Sequence, residues 1–244
     1  MVIVRGDRAV KPPEINNAWK GAASCRSCGI RHLVLFADLQ EQDFDQIHSP
    51  IEEIRFEAGG QLYGLDDPAD AIYTIRQGLV KLVQYQADGA QRIVRLVRLG
   101  GVAGLEALLR PTYEHMAIAL QPVDVCRIPV SEVRRLQATS PRLHYKLMEK
   151  WHEALTTADG FLTDLSTGSA RQRLARLLLL LSEEKPDEPI RLFTREDLGS
   201  MLAVTLETAS RTVSDFKRTG AVRETAPNRM ICDRSKLSAI AAVA

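Results

Sequence analysis

Between Ile51 and Val130 the chain breaks into short apolar or alternating runs: IEEIRF, AIYTIR, LVKLVQY, RIVRLVRL, HMAIALQ and VDVCRIPV. Turn residues separate them at Ala58-Gly59-Gly60, Gly78, Asp88-Gly89 and Gly100-Gly101. Strands at this close spacing, punctuated by glycine, predict a compact antiparallel sandwich or barrel. Asp88-Gly89 predicts a hairpin, because glycine supplies the positive φ that a tight turn needs. After Pro129 the period becomes helical. The run from Pro141 to Leu165 has no internal proline and a single glycine, Gly160. Within it Met148, Trp151, Leu155, Ala158, Leu162 and Leu165 alternate steps of three and four residues. That is the seam spacing of a coiled coil, on a helix ~37 Å long. The seam predicts a homodimer; the alternative is a helix packed on its own domain. Ser166-Thr167-Gly168-Ser169 then reads as a hinge or helix restart, and Ala170 to Ser182 as another amphipathic helix with Leu174, Leu177, Leu178 and Leu181 on one face. Upstream, the first twenty residues hold Pro12, Pro13, Asn16 and Asn17 and no apolar period, which predicts a mobile tail. A short helix is expected from Gln40 to Ile47. The textures divide the chain into a tail (1–20), a strand-rich domain (21–139), a long helix (140–167) and a C-terminal domain (168–244).

Composition adds limits rather than an identity. The 244 residues are 45% hydrophobic and 26% charged, an ordinary balance for a globular chain with enough apolar mass for two modest cores. Lys and Arg total 32 against 31 Asp and Glu, so no global basic field advertises a nucleic-acid partner. From Ser169 onward, however, 13 Lys and Arg face 10 Asp and Glu, a net +3, which leaves −2 for the first 168 residues. No apolar run approaches the length that spans a bilayer, Leu177 to Leu181 being only five residues, and the N-terminus lacks the apolar core of a signal peptide. A cytoplasmic protein with no membrane partner is expected.

The densest chemistry lies after Pro189. Thr194 can cap a helix, with an acid, Asp197, three residues on. That helix would run through Leu198 and Met201 to Leu202, Ala203-Val204 would turn, and Thr205 would cap a second helix from Leu206 to Arg218. Leu198, Leu202, Val204, Ala209, Val213 and Phe216 supply an inner face for the pair. The outer face of the second helix offers Glu207, Thr208, Ser210 and Arg211 near its start. This suits a helix-turn-helix, whose second helix meets base edges in the major groove of double-stranded DNA. Arg211 could donate two hydrogen bonds to guanine, Glu207 could accept from cytosine, and Ser210 could bond either way beside a thymine methyl. Thr194, Thr205 and Thr208 suit phosphate contacts that fix register. The alternative is that Glu207 and Arg211 form only an i,i+4 ion pair on a solvated helix. Two short strands around Gly220-Ala221-Val222 and Asn228 to Cys232 would add a wing.

With these motifs in this order, the chain from about Cys25 to Ala244 resembles the CRP/FNR family of bacterial transcription regulators. Leu206-Glu207-Thr208-Ala209-Ser210-Arg211 is similar to the recognition motif of the FNR branch, with its E-x-x-S-R core. The resemblance implies an α+β fold: an N-terminal antiparallel β-roll (cupin-like) as sensor, a long dimerisation helix and a C-terminal winged helix-turn-helix. It implies an inverted-repeat operator near TTGAT-N4-ATCAA, read by Glu207, Ser210 and Arg211, with RNA polymerase as the partner in activation. One departure is Ala203, where the turn often carries glycine.

For the sensor half, several readings stay open. In the family's nucleotide-binding branch a Gly-Glu pair holds the ribose and an Arg-Ser or Arg-Thr pair the phosphate. Here these positions are Gly104-Leu105, with Glu106 next door, and His115-Met116. A phosphate without a paired cation is costly to bury, which argues against cAMP. Cys25, Cys28 and Cys126 match three of the four ligands of the FNR branch's [4Fe–4S] cluster; Val34 occupies the fourth position, leaving His32, Asp38 or an external ligand to complete it. The same cysteines could instead be inert, a thiol redox pair or part of a zinc site, and Cys126 a small core residue. Haem has candidate ligands in His32, His48, His115, His144 and His152. A redox or oxygen-type signal is the leading expectation; another ligand, thiol oxidation or protein abundance is the alternative. Rival classes are a thiol oxidoreductase, for which Cys25-x-x-Cys28 lacks a β-α-β setting, and a dimerisation scaffold that never touches DNA. No phosphate-binding loop, nucleophile elbow or paired metal-ligand histidines point to an enzyme.

Overall fold

The structure is a computed structural model that describes residues 14–16, 35, 36, 40, 51–183 and 186–242. The helix expected over 40–47, Val34, Asp38, Cys25, Cys28, His32 and His48 lie outside the described residues, or only touch them at Gln40. The chain divides into two compact units, residues 1–84 with 96–154, and residues 85–95 with 155–244.

The fold is α+β, and each expected strand run between Ile51 and Val130 forms a strand. One antiparallel sheet has the order β1-β2-β9-β4-β7, from β1 (Glu14–Asn16), β2 (Glu52–Phe56), β9 (Val123–Pro129), β4 (Ala71–Gln77) and β7 (Val102–Ala103). The second has the order β3-β8-β5-β6, from β3 (Gln61–Tyr63), β8 (Met116–Ala119), β5 (Val80–Tyr85) and β6 (Gln91–Val97). Ile54, Phe56, Ile72, Ile75, Leu82, Val123 and Val125 of these strands are buried. The hairpin falls at Asp88-Gly89, where Gly89 adopts φ 82° and Gln86 N–H donates to Ala90 O at 2.9 Å.

The tail expected over residues 1–20 is corrected in part. Glu14–Asn16 pairs antiparallel with Glu53–Arg55 as the edge strand of the larger sheet. An edge needs ladder bonds on one side only, so a strand following Pro12-Pro13 fits there.

Helices follow: α1 (Val130–Thr139) and α2 (Pro141–Leu165), the latter unbroken through Gly160. α2 has two apolar stripes. Leu143, Leu147, Phe161 and Leu165 are buried, whereas Tyr145, Met148, Leu155 and Leu162 are 56–66% exposed. Trp151 and Ala158 are half-buried between the exposed positions. Leu165 therefore departs from the seam expected of it, at 1% exposure. A straight helix of 3.6 residues per turn drifts ~20° per heptad, and the last seam position has rotated into its own unit.

In the second unit α3 (Ala170–Leu181) starts at Ser169, which forms a capping box with Gln172. The expected helix restart is met by reciprocal bonds, Ser169 N–H to Gln172 Oε1 at 2.7 Å and Gln172 N–H to Ser169 Oγ at 3.3 Å. Then come β10 (Ile190–Arg191), α4 (Arg195–Leu202), α5 (Leu206–Arg218), β11 (Val222–Ala226), β12 (Arg229–Cys232) and α6 (Arg234–Ala242). The wing is a three-stranded sheet ordered β10-β12-β11, one strand more than the sequence predicts. Its tip turns at Pro227-Asn228, with Asn228 at φ 57°.

Candidate nucleic-acid interface

The turn between α4 and α5 is built from local chemistry. Thr194 Oγ1 accepts from Asp197 N–H at 3.0 Å and donates to the Asp197 carboxylate at 2.9 Å, closing the start of α4. Thr205 Oγ1 does the same for α5, accepting from Thr208 N–H at 3.2 Å and lying 3.0 Å from Thr208 Oγ1. Each cap satisfies an amide that a helix start leaves without an intrahelical partner. Between them Ala203 takes the left-handed conformation (φ 51°, ψ 49°), and Val204 N–H returns to Gly199 O at 3.1 Å. Gly199 is the residue that sequence reasoning missed. A Cβ there would lie 2.8 Å from Val204 O, so the turn closes only over a bare backbone. A glycine inside a helical pattern was the available signal.

Leu198, Met201, Leu202, Ala209, Val213 and Phe216 are all at most 2% exposed and weld α4 to α5, with Val204 half-buried at the turn. α3 holds the pair from behind through arginines. Arg171 pairs with Asp215 and lies 5.6 Å from the centroid of the Phe216 ring, and Arg173 donates to Leu202 O at the end of α4. The packing leaves the start of α5 outward. Glu207 and Arg211 side chains are 70% and 79% exposed, Leu206 is 58% exposed, and Ser210 and Thr208 are half-buried beside them. Arg211 donates to Glu207 at 2.6 Å, so the alternative ion pair does form. An exposed pair of this kind is worth ~0.3–0.5 kcal/mol. A bidentate arginine–guanine contact is worth ~1–3 kcal/mol of base discrimination, so the pair is no obstacle to DNA reading. Among the predicted phosphate contacts, Thr194 and Thr205 are exposed, but their hydroxyls already serve the caps. On the wing, Glu224 accepts from Lys217 of α5 at 2.5 Å, which holds its carboxyl below the ordinary range.

The β-roll positions tell a different story. Gly104 is left-handed (φ 78°), and a Cβ on it would lie 3.0 Å from the Tyr113 ring. Tyr113 stacks on Tyr63 with centroids 3.8 Å apart and donates its hydroxyl proton to Ala71 O at 2.7 Å. Leu105, at 3% exposure, opens a 3₁₀ turn (Leu105–Leu108) and is a core residue. Glu106, in the same turn, is buried with its carboxylate 3.5 Å from His115 Nδ1. His115 Nε2 lies 3.4 Å from Gln84 Nε2. His115, expected at the phosphate position, thus faces a carboxylate. Of the other described histidines, His144 Nδ1 is 3.0 Å from Gln137, and His152 is exposed.

Cys126 is half-buried on β9, paired across the sheet with Glu53 on one side and Thr74 on the other. It is not the core residue that its apolar neighbours suggested. Among the described residues no three His, Cys, Asp or Glu converge as a metal-holding group. With Cys25 and Cys28 outside them, the described residues do not by themselves fit an iron–sulfur cluster. No described helix is long and apolar enough to cross a membrane.

Comparison with known proteins places these features. A Crp-like helix-turn-helix domain model matches residues 172–240, and a cyclic nucleotide-binding domain model matches residues 53–140. The chain is 30% identical to the transcriptional regulatory protein btr of Bordetella pertussis over 209 residues, covering 83% of this chain and 86% of that one. It is 28% identical to the fumarate and nitrate reduction regulatory protein of Vibrio cholerae over 204 residues, 81% and 82% of the two chains. Among solved structures, FixK2 from Bradyrhizobium japonicum superposes with a TM-score of 0.71 at 25% identity, covering 79% of this chain and 98% of that one. The two sequence relatives are regulatory proteins rather than enzymes. The chain belongs to the CRP/FNR family and is a DNA-binding transcription regulator.

Proposed function

We propose that the protein is an FNR-type regulator that binds, as a homodimer, an inverted repeat near TTGAT-N4-ATCAA. The observation that carries this reading is the outward start of α5, where Glu207, Ser210 and Arg211 stand together on a helix fixed from behind. Glu207 and Arg211 exchange their mutual ion pair for the C·G pair, Ser210 selects the neighbouring T, and Thr194, Thr205 and Thr208 set the register on phosphates. The dimer forms along Met148, Trp151, Leu155, Ala158 and Leu162. Met148, Leu155 and Leu162 recur every seven residues and are 56%, 61% and 65% exposed, an arrangement that water disfavours and a second copy would bury. Two half-sites one helical turn apart suit that symmetry.

The signal enters through the N-terminal unit and is of redox or oxygen type, with Cys25, Cys28 and Cys126 as the responding groups. Cys126 supports this by being half-buried rather than sealed in the core. Against a cyclic nucleotide stands the pair His115-Met116, which brings no arginine to the position expected to hold the phosphate. The protein acts in the cytoplasm, through contact with RNA polymerase at the promoters it binds.

Mobility shift at stated salt, with TTGAT-N4-ATCAA against a scrambled duplex, tests the reading. Wild type should select the repeat. Leu155→Glu should run as a monomer in sedimentation and lose the shift. Equal binding to both duplexes, or a Leu155→Glu protein that binds like wild type, would refute it. Iron and sulfide content after anaerobic purification separates a cluster from thiol chemistry.

A further inference from the structure

The three arginines of α3 have different tasks, and that of Arg176 is not explained by the packing of the helix-turn-helix. Arg171 and Arg173 reach forward to α5 and α4. Arg176 reaches backward across the joint that connects α2 to the winged helix. Its Nη1 donates to Asp164 O at 3.2 Å, in the last turn of α2, and to Thr167 O at 2.9 Å, in the joint itself. The same nitrogen lies 3.5 Å from Thr167 Oγ1, and Nη2 donates to Ala241 O in the last turn of α6 at 3.3 Å. Carbonyls at the ends of helices have no intrahelical partner and sit at the negative pole of the helix. One guanidinium, with donors in a rigid planar fork, satisfies the end of α2, the joint and the end of α6 at once.

The joint is tightly made around it. Gly168 is left-handed (φ 83°); a Cβ there would lie 2.8 Å from Gln172 Oε1 and 3.6 Å from Arg176 Nη1. Ser169 and Gln172 close the start of α3 immediately afterwards. The chain therefore has little freedom between Asp164 and Arg176, and a single side chain spans that segment.

We infer that Arg176 is a positioning residue for DNA recognition. It fixes the direction in which the winged helix leaves α2, and thereby the half-site separation that a symmetric pair of chains can read. The inference rests on the dimer-on-inverted-repeat reading above and adds to it the element that sets the spacing.

The test uses the full chain and its Arg176→Gln and Arg176→Lys variants. Each is titrated against the N4 repeat, against repeats with closer and wider half-sites, and against a duplex with a single half-site; thermal unfolding is measured in parallel. Loss of the charge-assisted bonds should weaken Arg176→Gln on the N4 repeat by about 10-fold. Its affinity for the altered spacings and the single half-site should stay unchanged, so that the spacing preference flattens. Arg176→Lys, which keeps the charge but not the fork, should fall between. An Arg176→Gln protein with wild-type spacing preference overturns the inference. So does a uniform loss on every duplex together with lowered thermal stability, which marks a purely structural role. A wild-type protein without any spacing preference instead removes the dimer-on-repeat reading beneath it.

Discussion

Both halves of the molecule hold an acid beside a base, and the two pairs behave in opposite ways. Glu207 and Arg211 touch at 2.6 Å with side chains 70% and 79% exposed. Glu106 and His115 stand 3.5 Å apart with side chains 8% and 20% exposed. Water screens the first pair, so giving it up for base edges costs little. Burial makes every polar contact of the second costly to lose. The start of α5 thus keeps its chemistry open to solvent, while the acid and base of the β-roll face each other inside the fold.

The comparison can be broken with one substitution on each side. Glu106→Ala should lower unfolding stability by about 1–3 kcal/mol, measured by denaturant titration, without altering which duplex is preferred. Arg211→Ala should do the reverse. It should lose about 1–3 kcal/mol on the specific repeat and relax preference at one base pair, while stability stays within about 0.5 kcal/mol. If Arg211→Ala binds the repeat like wild type, α5 reads DNA by another face.

A smaller effect sharpens the picture of the reading half. Ala203 has a left-handed backbone that costs a side chain about 1–2 kcal/mol relative to glycine. Part of the gain from relieving it is offset by the greater freedom of glycine in the unfolded chain. Ala203→Gly should raise the stability of the winged helix by about 0.5–1 kcal/mol, visible as a higher melting temperature, with DNA preference unchanged.

A pH-dependent effect, silent at neutral pH, separates the two halves by their cysteines. Burial pushes the Cys232 thiol from its ordinary 9.0 up to about 11. The unfolded thiol ionises near 9.0 while the folded one keeps its proton, so this contribution is intact below pH 9.0 and is lost as pH rises to about 11. Cys232→Ala should flatten that fall in a denaturation series spanning the interval. At neutral pH a thiol reagent should modify half-buried Cys126 before Cys232, as peptide mapping would record.

The reading half was legible because its signals are local. Thr194 and Thr205 cap helices a few residues away, and Leu198, Ala209, Val213 and Phe216 keep a helical period, so a window of 25 residues contains the whole turn. The main strands were legible from alternation and glycine punctuation. β3, β7 and β10 were not, because two or three residues show no period. Glu106 was seen beside its expected partner position, but its burial comes from packing that no spacing encodes. Leu165 continues the seven-residue pattern in sequence and leaves it in space. Among the arginines of ARQRLAR, nothing in the sequence distinguishes the one that spans the joint from those that face the recognition helix.

The two stripes of α2 also bear on the order in which the protein is made. A ribosome delivers Met148, Leu155 and Leu162 before any of α5 has been synthesised. A growing chain therefore displays this exposed apolar stripe while it still has nothing with which to grip a promoter. In the dimer proposed above, chains emerging from neighbouring ribosomes on one message can pair at that stage, before the DNA-reading surface exists.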